Sequence, residues 1–174
     1  MDIWQLIKTG QWCSFWDDNG DETFRVGYLL GGNELFSMFA LVTTHGYDDG
    51  LYLTPTSRIF RVDVADRYTE RIKKLFFLYE HEERLTIENH SDISNIWFCA
   101  QAKERSELVS VYLETGETIN GFVVDLTDSI LSLARIDEEG REDGLSIIQW
   151  ESIIKLRRDS GDCRILAQLH EGEL

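Results

Sequence analysis

Histidine beside acidic residues is the first pattern here that could do chemistry, because imidazole and carboxylate groups bind metal ions. Residues 45–49 read His-Gly-Tyr-Asp-Asp, and residues 80–83 read Glu-His-Glu-Glu. A polar turn explains the first segment equally well, and no second histidine cluster supports it. Consecutive helical residues point in different directions, so a solvated helix end explains the second segment better. We therefore expect no metal and no other cofactor.

Nucleophilic catalysis would need a serine or cysteine beside a positioned base. Cys13, Cys99 and Cys163 lie far apart, and aromatic residues flank the first two, which favours buried structural thiols. Gly31-Gly32 is not followed by the Lys-Ser/Thr pair of a phosphate-binding loop. The sequence therefore predicts no catalytic residues, and we expect that the protein is not an enzyme.

Basic residues form the remaining candidate site, which would bind an anion such as RNA. They follow the predicted fourth strand of each half: Arg58, Arg61, Arg67, Arg71, Lys73 and Lys74, then Lys155, Arg157, Arg158 and Arg164. The candidate anion- or RNA-binding residues are Arg58, Arg61, Lys155 and Arg157. Pairing of these cations with nearby acids of the same chain is the alternative, and we favour it.

The overall charge opposes RNA binding. The formal net charge is −15, and a field of this sign repels nucleic acid and anionic membranes. The N-terminus, Met-Asp-Ile-Trp-Gln-Leu, lacks the basic and apolar regions of a signal peptide. No apolar run reaches the roughly 18 residues of a membrane-spanning helix. Three widely spaced cysteines are typical of reduced thiols, so we expect a cytoplasmic protein without a membrane partner.

Short apolar runs between turns predict five strands in the C-terminal half. Residues 108–114 alternate between apolar and polar side chains, as in a strand with one buried face. The predicted strands are 108–114, 119–126, 130–136, 144–148 and 153–158. A meander with two open edges is prone to aggregation, so we expect a small closed barrel.

The N-terminal half contains a partial copy of this pattern. Two blocks align at one constant offset, and a third match lies upstream. The matched segments are 49–53 with 143–147, 59–62 with 153–156 and, upstream, 28–33 with 112–117. One repeated supersecondary unit is the physical interpretation, and chance similarity between two meanders is the alternative.

Helices are predicted before each barrel and between the two. Asp2 would cap the first helix, and Ser91 or Asp92 would cap the helix before the second barrel. The connecting helix has an apolar stripe that would pack on a barrel or, alternatively, bind a partner. The stripe consists of Val64, Tyr68, Ile72, Leu75, Phe76 and Tyr79.

The second half resembles the Sm-like fold, in a helix before the first strand, an acidic variable loop and a one-turn connector before the last strand. The matching strand segments are 111–117, 119–125, 145–148 and 153–156. Sm-like proteins are bent five-stranded barrels with this strand order, and many assemble edge to edge into rings that bind RNA. The resemblance covers about residues 91–160 well and residues 1–64 loosely.

The RNA-binding signature of that family does not carry over. An Asp-x-x-x-Asn loop follows the second strand in the family, whereas residues 125–129 read Asp-Leu-Thr-Asp-Ser. The second RNA-contacting loop usually offers Arg-Gly or Lys-Gly, but residues 149–152 read Gln-Trp-Glu-Ser. Residues 54–58 of the first copy end in Arg58 and lack the glycine. The resemblance thus implies a fold more strongly than an activity.

We therefore predict a mainly β protein with flanking α-helices, built from two Sm-like barrels of five strands or nearly so, each preceded by a short helix. Residues 1–84 would hold the first barrel with its N-terminal and connecting helices, and residues 85–174 the second barrel with its preceding helix. The expected function is non-enzymatic binding of a protein, either another copy of the chain in a homo-oligomer or a different partner. RNA binding is the alternative.

Overall fold

The computed structural model describes residues 6–18, 24–79, 81, 83, 84, 87 and 90–172. The chain divides into two compact units, residues 1–93 and 94–174. Ten strands with antiparallel pairing and three α-helices form the regular structure of the described residues, so the predicted mainly β class with flanking helices is confirmed. The predicted N-terminal helix would begin in residues 1–5, which lie outside the described part of the chain.

The first unit contains five strands. They are β1 (Trp12–Asp17), β2 (Arg25–Gly32), β3 (Phe36–Val42), β4 (Asp48–Pro55) and β5 (Ile59–Val64). Their order across the sheet is β5-β1-β2-β3-β4. One 3-10 turn, Thr56–Arg58, joins β4 to β5. Alternate residues of these strands form a core in which the rings of Phe15 and Phe39 stack at 4.0 Å and contact Tyr52.

A helix, α1 (Arg67–Leu78), follows the first sheet, where the sequence predicts the connecting helix. Asp66 caps it, since its carboxylate accepts the backbone N–H groups of Tyr68 and Thr69. Burial works to raise the pKa of Asp66, but a hydrogen bond from the Thr69 hydroxyl and these backbone hydrogen bonds together lower it. The Phe76 ring meets Trp12 of β1 edge-on at 5.2 Å. Of the predicted apolar stripe, Ile72 and Phe76 therefore pack on the sheet of this unit, whereas Val64, which lies on β5, and Tyr79 are exposed.

The second unit begins with a helix and contains five more strands. Its elements are α2 (Asn95–Arg105), β6 (Leu108–Leu113), β7 (Thr118–Leu126), β8 (Ile130–Ile136), β9 (Glu142–Gln149), β10 (Ile153–Arg158) and α3 (Gly161–Glu171). The strand order is β10-β6-β7-β8-β9. All five strands predicted from the apolar runs are confirmed. The helix before them is also confirmed, although Ser94 caps it rather than Ser91 or Asp92.

Helix α3 is an element that our sequence analysis missed. Ser160 caps it by accepting the backbone N–H of Cys163 at 3.2 Å, and Gly172 ends it in the left-handed region. Cys163 packs with Leu108 and Ile136 in the core of the second unit. The serine cap and the terminal glycine are the signals that could have predicted this helix.

Both units repeat the same backbone irregularities. The β2–β3 pairing shifts between Leu29 and Gly31, and the β7–β8 pairing shifts between Val123 and Asp125, at the offset of the predicted repeat. The shifts in β3–β4 and β8–β9 are equivalent in the same way. The helix that follows each sheet lies at the same offset. The duplication therefore extends from the second strand of each unit through its final helix. The upstream match of 28–33 with 112–117 is therefore wrong, because the first segment belongs to β2 and the second to β6 and its turn.

The prediction that each five-stranded sheet closes into a barrel is also wrong, because the described residues of its two end strands do not hydrogen-bond to each other. Among the described residues, β5 does not pair with β4 in the first unit, and β10 does not pair with β9 in the second. After the one-turn connector, the last strand of each unit pairs with the first strand rather than with the strand that precedes the connector. The bulges bend the strands but do not bring the end strands into register, so each five-stranded sheet stays open.

Candidate functional site

The segment considered for metal binding is a loop between β3 and β4 that makes other contacts. The carboxylate of Asp48 pairs with Arg84 at 2.7 Å, and Tyr47 stacks on Tyr79 at 5.0 Å. His81 lies among aromatic rings, with Phe76 at 5.2 Å, whereas residues 80 and 82 lie outside the described part of the chain. In that described part, no three His, Cys, Asp or Glu side chains gather as a metal site would require.

The cysteines are buried and reduced. Burial raises the pKa of Cys13 to about 12, with a smaller contribution from the Asp66 charge. Burial likewise raises the pKa of Cys99 to about 12, against a small opposing effect of Arg158. Cys163 is also buried, and its sulfur lies 3.4 Å from the Ser110 hydroxyl. Because Cys13 and Cys99 are held in the neutral form, they are poor nucleophiles, and their positions suit packing.

Cys13 and Cys99 should resist alkylation in the folded protein. At about pH 8 a thiol with a pKa near 12 is thiolate in only about one molecule in ten thousand, and the thiolate is the reacting species. Iodoacetamide labelling followed by mass spectrometry should show protection in buffer and full reaction in urea. Labelling in buffer as fast as that of an exposed model thiol would contradict this burial.

Two of the four candidate anion-binding residues lie in the first unit. Arg58 is in the 3-10 turn, and its guanidinium donates to the backbone oxygen of Asp18 at 2.9 Å. Arg61 is on β5, lies over the Trp16 ring at 4.2 Å and pairs with Asp63 at 2.6 Å. The hydrogen bond to Asp63 raises the pKa of Arg61. Both cations therefore make contacts within their own unit, Arg58 with a backbone oxygen and Arg61 with an acidic side chain.

The other two residues, Lys155 and Arg157, lie on β10 of the second unit. Lys155 is only 5% exposed, and its ammonium lies over the Tyr112 ring at 4.5 Å. Tyr112 is its partner on the neighbouring strand, just as Trp16 is the partner of Arg61. The repeat thus conserves a cation over an aromatic ring between the first and last strands of each unit. RNA binding by these four residues stays a prediction.

A buried carboxylate is a feature that our sequence analysis did not identify. Asp17 ends β1, and its side chain is fully buried. Arg25 pairs with it at 2.7 Å, and the Tyr52 hydroxyl donates to its other oxygen. Arg25 also borders a cavity of about 460 Å³ that is otherwise lined mainly by apolar side chains and threonines. Asp17 therefore balances the charge of Arg25 at the edge of this cavity.

Exposed apolar side chains on strand edges are the other feature that our sequence analysis missed. In the second unit, β9 is the end strand, and Leu145 and Ile147 on it are 58% and 66% exposed. In the first unit, β5 is an end strand, and Phe60 on it is 67% exposed. Alternation in the sequence shows that Leu145 and Ile147 lie on the same face of β9, but it does not show whether that face is covered.

Comparison with known proteins assigns no family to this chain. No family model matches it, and neither a search of curated proteins nor a search of solved structures finds a match. The described residues include no helix with both the length and the apolar character needed to cross a membrane. Any assignment of function therefore depends on the residues and contacts of the chain itself.

Proposed function

We propose that this protein is a tandem Sm-like module that binds proteins through the open edges of its sheets and has no enzymatic activity. The order in which the last strand of each unit lies beside the first supports the Sm-like assignment. The repeated bulges, which bend the strands, and the helix before β6 support it as well. The partner is another copy of the chain or a different protein, and self-association is the case that the edges support best.

The observation that carries this proposal is the apolar edge of β9. Leu145 and Ile147 are two residues apart, so they project from the same face of the strand. Beside them on β8 are the small residues Ala134 and Ser132, which leave the two large side chains standing above the sheet. An end strand that also presents apolar side chains is a template for adding a strand from another protein.

The edge of β5 supplies a second, different surface. Phe60 lies at the bulge of that strand and is exposed, and Val64 at its end is also exposed. Contact between the β9 edge of one copy and the β5 edge of another would be heterologous. Such a contact repeats from copy to copy and produces rings or chains of subunits.

Changing Ile147 to lysine tests this function. We expect the wild-type mass in light scattering to rise with concentration, and the I147K variant to stay at the mass of one chain. A lysine at this position would place a charge in the contact between copies, where it would have to be buried. Lysines on edge strands prevent the addition of further strands in natural sheets. The matched control is Ile165→Lys, which adds the same charge on the exposed face of α3.

Two results would count against the proposal. A wild-type protein that remains monomeric at every concentration contradicts self-association and leaves only a different protein as partner. Equal loss of mass in the Ile165→Lys variant would mean that net charge rather than the β9 edge governs association. Circular dichroism of both variants establishes that they are folded.

RNA binding has less support than protein binding. Lys155 is buried against Tyr112, and Arg61, although exposed, is paired with Asp63, so a phosphate group would have to compete with that carboxylate for Arg61. Binding of RNA that weakens steeply with salt, and is lost when Arg58 and Arg61 are changed to glutamate, would reverse this ranking.

A further inference from the structure

A groove on α1 has no role in the edge contacts proposed above. Its volume is about 520 Å³, and we refer to it as the α1 groove. The described residues that line it are Arg67, Glu70, Arg71, Lys74, Leu75 and Leu78. They lie on a different side of the helix from Thr69, Ile72 and Phe76, which are buried against the sheet. The α1 groove therefore lies on a side of the helix other than the one that packs on the sheet.

Three cations form one edge of the α1 groove. Arg67, Arg71 and Lys74 are one helical turn apart, so their side chains follow each other along the helix. None of the three makes an ion pair or hydrogen bond with any residue that the structure describes. In a chain of net charge −15, this is a local concentration of positive charge, and Glu70, the one acid among the described lining residues, forms no ion pair with these cations.

Apolar side chains complete the α1 groove. Leu75 is half-buried, and Leu78 is 70% exposed. Burial of an exposed leucine side chain is favourable, so this surface would gain from an apolar partner. The α1 groove thus combines basic side chains along one edge with apolar side chains beside them.

The second unit shows that the cations are not needed to build the helix. At the repeat offset, Gly161, Ile165 and Gln168 of α3 take the places of Arg67, Arg71 and Lys74. Helix α3 nevertheless packs on its own sheet, where Cys163 is buried beside Leu108. The basic edge is therefore a property that only the first copy has, and folding of the repeat does not account for it.

We propose that the α1 groove binds an acidic amphipathic helix of another protein. Its carboxylates would face Arg67, Arg71 and Lys74, and its apolar side chains would cover Leu75 and Leu78, as in helix-in-groove recognition. A nucleic acid is a poorer fit. Glu70 places a carboxylate among the cations, and the leucines offer no aromatic ring on which a base could stack.

Fluorescence anisotropy with a labelled helical peptide tests this site. The peptide carries leucines on one face and glutamates on the flanking positions, and the control peptide has glutamine in place of glutamate. We expect the acidic peptide to bind the full-length protein, and Lys74→Gln to weaken binding about fivefold, as the loss of one surface ion pair would. The matched variant Lys73→Gln removes the same charge from the neighbouring residue, which does not line the α1 groove, and should bind normally.

Leu78→Ser tests the apolar part without changing charge. We expect it to weaken peptide binding by at least as much as Lys74→Gln, since Leu78 would lose its burial on binding. The proposal fails if wild-type protein does not bind the peptide at low salt, if Lys73→Gln weakens binding as much as Lys74→Gln, or if Leu78→Ser has no effect. A single-stranded RNA probe that binds more tightly than the peptide would also overturn it. All variants alter surface positions, so thermal melts should match that of the wild type.

Discussion

Replacing Gly27 by alanine should destabilise the first unit by about 3 kcal/mol or more. A Cβ atom at this position would lie 2.0 Å from the backbone oxygen of Ala40. That oxygen belongs to β3, which pairs with β2 at this point, so it cannot move without breaking the strand pairing. A loss of this size is a large part of the total stability of a typical domain.

The equivalent change in the second unit should have the same effect there. A Cβ atom at Gly121 would lie 2.4 Å from the backbone oxygen of Ala134. Urea denaturation measures the loss, and hydrogen exchange read by mass spectrometry should localise it to residues 1–93 for Gly27→Ala and to residues 94–174 for Gly121→Ala. The control is Gly10→Ala, where the added Cβ meets nothing within 4 Å and only the left-handed backbone costs about 1 kcal/mol. Wild-type stability in Gly27→Ala would contradict the close approach of the strands.

Changing Asp17 to asparagine should cost the first unit about 3 kcal/mol or more. The side chain of Asp17 is fully buried and that of Arg25 nearly so, and the two pair at 2.7 Å. The variant keeps the shape and a hydrogen-bond acceptor for Tyr52 but removes the charge that balances Arg25. Removing one partner of a buried ion pair strongly lowers the free energy of unfolding, because the remaining charge is still removed from water and no longer has a partner.

Asp63→Asn is the matched control for this prediction. Asp63 pairs with Arg61 at 2.6 Å in an exposed position, and exposed pairs contribute less than about 1 kcal/mol. Chemical denaturation of both variants should show a large loss for the buried pair and little or none for the exposed pair. Equal effects would mean that Asp17 and Arg25 are screened by solvent rather than buried.

Much of the secondary structure follows from local patterns. The five strands of the second unit, the 3-10 turn before the last strand and the helix after β5 all fall where apolar periodicity and turn residues place them. The constant offset between Asp49–Leu53 and Asp143–Ile147 also identified the repeat. The upstream match of 28–33 with 112–117 failed because short apolar segments before a glycine turn resemble one another whichever strand they belong to.

The candidate site was harder to predict. Arg61 and Lys155 look alike in the sequence, yet Arg61 is exposed and paired with Asp63, whereas Lys155 is buried against Tyr112. Sequence position predicts a cation on a strand but not its cross-strand neighbour, which depends on register. Helix α3 was missed for a related reason, since its short apolar stripe becomes clear only beside the core that it covers.

The amino-acid sequence by itself determined the mainly β class, the duplication and the acidic charge, because alternation, turn residues and composition act over a few neighbouring residues. Only the tertiary structure decided that the sheets stay open, that Asp17 is buried with Arg25, and that Leu145, Ile147 and the cations of α1 face outward. These outcomes depend on which strands and helices cover one another. That coverage is set by long-range packing, which local sequence patterns do not encode.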